Sequence, residues 1–130
     1  MSAERDAILS AQYVALTTYR RDGTPVTTPV WAAAEGTSLY LFSNAKAGKV
    51  KRLRNSSRAA VAPCTATGTI TGAQLPAEAF NLASDQMPKV WRLLTKKYGI
   101  AARLFVAYDR ARALLRMQPS AGIVVHLSGQ

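Results

Sequence analysis

The residue pattern changes period once, abruptly, and that change limits the fold more than any other feature of the chain. Leu39-Tyr40-Leu41-Phe42-Ser43 reads as a strand, and Lys46-Ala47-Gly48-Lys49-Val50-Lys51-Arg52-Leu53-Arg54 reads as a short basic helix with Val50 and Leu53 facing inward. The junction between them carries chemistry. The first turn of a helix offers backbone N–H groups with no partner inside the helix, and such groups suit phosphate. Ser43 brings a hydroxyl, Ala47 and Gly48 are small enough for close approach, Lys46 and Lys49 bracket the first turn, and Lys51 and Arg54 add field or grip a second anionic group. From 46 to 58 there are six cationic residues and no acid. A solvated helix face has the same composition, so charge by itself does not choose between a site and a surface.

The rest of the chain supplies strands around this step. A short helix is expected over 3–12, with Ser2 as its cap. Residues 13–19 read as the first strand, Asp22-Gly23 as a tight turn, and 25–33 as the return strand. Pro25 and Pro29 each remove a ladder donor, which places that strand at an edge or bulge. Glu35-Gly36 turns the chain into the third strand over 38–43, and the helix is read over 46–55. A fourth strand follows over 58–64 and a fifth over 67–72; the alanine-rich 73–83 is read as loop or short helix. Val90, Trp91, Leu94 and Tyr98 recur at helical spacing, with Pro88 in the first turn and Gly99 as the stop. A second helical run is read over 101–115 with Leu104, Phe105, Tyr108, Ala111 and Leu115 on its buried side, and 122–127 is the final strand. The expectation is a single domain over 1–130, mainly β with helices: six or so antiparallel strands and three to four helices.

Composition narrows the function classes. Seventeen Lys and Arg against seven Asp and Glu give a formal charge of +10, which points to an anionic partner: nucleic acid, a phosphate-rich cofactor or a membrane surface. Cys64 is the only cysteine, so no intrachain disulfide forms, as suits a reducing cytoplasm. With His126 as the only histidine, the common structural zinc sets are out of reach. Neither a signal peptide nor a membrane span is read, and a cytoplasmic location is expected. No Gly-x-Gly-x-x-Gly or Walker pattern occurs, and no nucleophile–His–acid set or carboxylate pair stands out, which leaves hydrolysis little support. An enzyme of this composition would leave the hard chemistry to a cofactor. Trp31 and Phe42 are candidates to lie beside a planar ring, with Pro29 and Val30 close by. Core packing explains large aromatics equally well.

These residues together resemble the pyridoxamine 5′-phosphate oxidase-like, FMN-binding split β-barrel superfamily, and within it the actinobacterial branch of deazaflavin (F420)-dependent enzymes. The likeness rests on Ala15 to Thr18, Asp22-Gly23-Thr24-Pro25, Pro29-Val30-Trp31, Leu39 to Ser43, Lys46-Ala47-Gly48-Lys49 with Leu53-Arg54, Arg58-Ala59-Ala60-Val61, and Lys97-Tyr98-Gly99. The resemblance implies a split barrel and a homodimer with a cofactor at each interface. It places Phe42, Ser43, Ala47, Gly48 and Lys49 at the cofactor phosphate, and Pro29, Val30 and Trp31 beside the ring. Lys46 and Arg54 complete the expected site. The oxidase itself usually opens the ring-side motif with an arginine, where this chain has Val30-Trp31. That departure turns the expectation from FMN towards F420, whose phosphate and oligoglutamate tail suit the basic excess. Lys51, Arg52, Arg54 and Arg58 are assigned to that tail on electrostatics alone.

The implied activity is hydride transfer between reduced deazaflavin and a small unsaturated substrate, with no proton donor assigned. FMN is the alternative cofactor. A non-catalytic flavin, F420 or haem carrier is the first rival function. Nucleic acid is disfavoured, because aromatics do not interleave with the basic run, and a lipid surface is disfavoured for want of a free amphipathic basic helix.

Overall fold

Alternate residues along the strands point into one core. Val14 and Leu16, Leu39 and Leu41, Ala59 and Val61, Ala77 and Ala79, and Ile123, Val125 and Leu127 are all buried together, as expected for a sheet curled around its own interior. The computed structural model of the chain describes residues 3–44, 47–99, 104, 107 and 120–127. In order the elements are α1 (Ala3–Ser10), β1 (Tyr13–Tyr19), β2 (Pro25–Val30), β3 (Ala32–Glu35), β4 (Ser38–Asn44), α2 (Gly48–Asn55), β5 (Arg58–Cys64), β6 (Leu75–Asn81), a 3₁₀ turn at Ser84–Gln86, α3 (Met87–Tyr98) and β7 (Ser120–Leu127).

Seven antiparallel strands form one sheet in the order β2-β1-β5-β6-β7-β4-β3. The two edge strands, β2 and β3, are consecutive in sequence with Trp31 alone between them. One residue spans under about 4 Å, so the opposite edges of the sheet must come together there. The sheet therefore curls into a split β-barrel whose seam lies at Trp31. Ile8 of α1 and Val50 and Leu53 of α2 are buried against the same core.

Outside the barrel, α3 packs on β3 and β4. Its buried Val90 and Leu94 join Ala33 in a second cluster, with Trp31, Tyr40, Phe42, Trp91 and Tyr98 partly buried around them. Burying a side chain such as Leu94 stabilises the fold by about 1.5–3 kcal/mol. Pro88 stands in the first turn of α3, and Gly99 at φ 66° ends it, its N–H bonded to the Thr95 carbonyl at 2.8 Å.

Several expectations need correction. The strand read over 25–33 is two strands, because Trp31 is where the chain leaves one edge of the sheet and joins the other. Both prolines do lie on an edge strand. The stretch 67–72 is a turn with a single bridge, Cys64 to Ile70, and not a strand. The missing strand is β6, in the segment read as loop or helix, and the count rises to seven. Its inward positions are Ala77 and Ala79, small residues that fit a narrow interior but carry a weak strand signal. Helix α2 begins at Gly48. Of the run read over 101–115 only Leu104 and Ala107 are described; both are helical, and Leu104, expected to be buried, is 67% exposed. The other residues of that run lie outside the described residues.

Candidate functional site

The seam is held open and shaped by the end of α3. Trp31 stacks on Tyr98 with ring centroids 4.5 Å apart and planes within 5°. The Tyr98 hydroxyl accepts the Ala32 N–H at 3.1 Å and lies within donating distance of the carbonyls of Gln12, 2.7 Å, and Ala32, 3.0 Å. Lys97 Nζ donates to the carbonyls of Ala11 and Ala32, both at 2.6 Å. Two side chains thus satisfy backbone groups that the sheet cannot pair at its split. Burial pushes the Tyr98 phenol up to about 12, and burial pushes the Lys97 ammonium down.

Beside this bracket opens a cleft of about 300 Å³, lined by Tyr13, Pro29, Val30, Trp31, Phe42, Lys49 and Ala66. Its walls come from β1, β2, the seam, β4, the first turn of α2 and the 65–74 loop. That loop lies over the outer face of β1, where Gln74 Nε2 donates to Thr17 Oγ1 at 3.3 Å. Phe42 is braced from the other side by Trp91, with centroids 4.8 Å apart. The cleft is therefore mostly apolar and aromatic, with one ammonium and one phenol, a combination suited to a planar ring bearing an anionic group.

Among the described residues Lys49 is the cation of this cleft. Burial lowers its pKa, and the nearby Arg52 lowers it further. Arg52 lies back along α2, as long helical side chains do: a Cβ placed on Gly48 would sit 2.5 Å from its Nη1. Gly48 thus makes room for a guanidinium, in addition to the backbone access read from sequence. Ala47 stands at the N-cap and makes no side-chain capping bond.

Of the ten residues expected in the site, Pro29, Val30, Trp31, Phe42 and Lys49 line this cleft. Ser43 is buried at 7% exposure and follows Phe42 on β4, so it points to the opposite, interior face with Leu41. Ala47 packs against the barrel core, and Gly48 and Arg54 are exposed. Lys46 lies outside the described residues. Tyr13 and Ala66 were missed. Tyr13 opens a strand and carries no motif, and Ala66 arrives on a loop whose path depends on contacts distant in sequence. Of the four residues assigned to an anionic tail, Lys51, Arg52 and Arg58 share a separate cleft with Arg20 and Arg21, and Arg54 is not among its lining.

Comparisons with known proteins agree with the fold. A family model described as pyridoxamine 5′-phosphate oxidase matches residues 1–126. No curated protein matches the chain significantly. Among solved structures, a conserved hypothetical protein of Mycobacterium tuberculosis superposes with a TM-score of 0.69 at 21% identity, over 99% of this chain and 82% of that one. A FAD-binding protein of Mesorhizobium loti superposes at 0.64 and 18% identity, over 99% and 91%. An F420 reductase superposes at 0.61 and 17% identity, over 99% and 97%. At these identities the structural likeness is one of fold.

Proposed function

We propose, from the premise that this chain belongs to the pyridoxamine 5′-phosphate oxidase family, that it is an oxidoreductase using the deazaflavin F420 and reducing a small unsaturated substrate. The observation that carries this reading is the cleft at the seam, where Pro29, Val30, Trp31 and Phe42 meet Lys49 at the start of α2. Relatives of the same fold are an F420 reductase and a FAD-binding protein. The formal charge of +10 favours, at long range, a cofactor with more negative charge than FMN.

In this reading Trp31 and Phe42 hold the ring by apolar contact and keep water from its face. Trp31 is itself fixed by the Tyr98 stack. Lys49 meets the phosphate, helped by the uncapped first turn of α2. When bound, the cofactor supplies the hydride. Tyr13 is the phenol lining the cleft and is assigned as the proton donor. The protein works as a homodimer, a second copy completing each site. FMN is the second reading, favoured by the cleft itself, which among the described residues Lys49 alone lines with positive charge.

The test is side-by-side titration with F420, FMN, FAD and haem, followed by oxidation of reduced F420 in the presence of activated alkenes and quinones. Saturable F420 binding with substrate-dependent oxidation is the expected result. Binding without turnover on any substrate would favour a carrier, and failure of both F420 and FMN to bind would reject the reading.

A further inference from the structure

Helix α2 has a second cleft at its other end. It encloses about 500 Å³ between the β1–β2 turn, the C-terminal half of α2 and the start of β5. Among the described residues Arg20, Arg21, Lys51, Arg52 and Arg58 line it, and no carboxylate does. Two acids stand nearby, outside the lining: Asp22, whose charge faces Arg20, and Glu78. Asp22 Oδ1 accepts the Thr24 N–H at 2.9 Å, and Glu78, opposite Arg58 in register, accepts the Ser57 hydroxyl at 3.4 Å.

Five cations on one concave wall repel one another, and a surface with no use for them would usually intersperse acids. Here neutral groups hold three of the four guanidinium groups in place. Arg52 Nε donates to Thr18 Oγ1 at 2.6 Å, and Thr18 is fully buried. The Arg58 guanidinium carbon sits 3.8 Å from the centroid of the Tyr19 ring. Arg21 Nη2 donates to Asn55 Oδ1 at 3.4 Å. A hydroxyl, a ring face and an amide fix direction without cancelling charge. Burial and the neighbouring Arg20 hold the Arg52 guanidinium below its ordinary range, a repulsion that an anion would relieve.

The charge count sets the ligand. A single phosphate dianion would leave most of the five cations uncompensated, whereas a guanidinium fork binds carboxylate or phosphate oxygens in pairs. The volume suits a small molecule. Single-stranded nucleic acid would need an open aromatic platform, and the one aromatic lining this cleft, Tyr19, is covered by Arg58. We propose that this cleft is a second anion site, filled independently of the cleft at the seam, for a small ligand carrying two or more phosphate or carboxylate groups. The inference does not rest on the cofactor reading above.

The test uses the full chain and calorimetry, with inorganic tripolyphosphate and citrate as multivalent probes and orthophosphate as the monovalent control. Tripolyphosphate or citrate binds at least roughly tenfold more tightly than orthophosphate, and the Arg20→Ala/Arg58→Ala double variant loses roughly tenfold or more of that affinity. Should that variant not fold, Arg21→Gln/Lys51→Gln removes the same charge and shows the same loss. Lys49→Ala, in the other cleft, keeps multivalent binding within about threefold. Equal affinity for the multivalent and monovalent probes would overturn the proposal, as would unchanged binding in both double variants. Loss in Lys49→Ala as large as in the double variants would move the ligand to the seam. Tighter binding of a single-stranded oligonucleotide than of tripolyphosphate would replace the small ligand with nucleic acid.

Discussion

Lys49 links the chemistry of the cleft to its pH behaviour. Burial and Arg52 lower its pKa in the free protein, and a bound phosphate dianion raises it again. Affinity is then constant while Lys49 is protonated in both states, and falls as pH rises through the lowered pKa of the free protein. F420 or FMN affinity measured between about pH 7.5 and 10 should therefore decline earlier than an ordinary lysine near 10.4 allows. Lys49→Arg should flatten the profile. Tyr13 makes a different prediction. As a proton donor it acts in the chemical step, so Tyr13→Phe should lower kcat by roughly a hundredfold while cofactor affinity, followed by fluorescence, stays within about twofold.

At the scale of elements, α3 supports the site by packing and by its final turn. Leu94 is fully buried between α3 and the barrel, so Leu94→Ala should cost about 2–5 kcal/mol, read as a lower urea midpoint at unchanged slope. Tyr98→Phe removes the hydroxyl that serves Ala32 and Gln12 and should cost about 1–3 kcal/mol. It should also change alkaline behaviour. The Tyr98 phenol ionises at about 12 in the folded chain and near 10.0 when unfolded. The unfolded state therefore loses its proton first, and the stability tied to the neutral phenol is full below pH 10 and lost as pH rises towards 12. Against wild type, the Tyr98→Phe variant should lose less stability across that interval in urea melts. The elements legible in sequence are those whose signal is local: β1, β5 and α3 have the boundaries their residue types predict. Strand β6 was hidden because the barrel requires alanine where strand propensity would place valine or isoleucine.

For the whole molecule, the decisive feature is that opposite edges of one sheet meet at a single residue. Local pattern does not show this. Pro29 hinted at an edge, and nothing local announced that the chain crosses to the other edge two residues later. Residue chemistry singled out Trp31, Phe42 and Lys49, and the fold brings these three to one cleft. Ser43 does not line the cleft, because the alternation that puts Phe42 there puts its neighbour in the core. Charge was read as one basic run, while the fold divides it between two clefts at either end of α2. The account stands or falls on the cleft at the seam as the seat of the cofactor. Its most direct test is the dissociation constant of F420 for wild type and Lys49→Ala, measured in parallel by fluorescence. Saturable binding to wild type, weakened roughly ten- to a hundredfold by the substitution, is the predicted result; equal affinity in the two proteins, or no saturable binding to wild type, would contradict it.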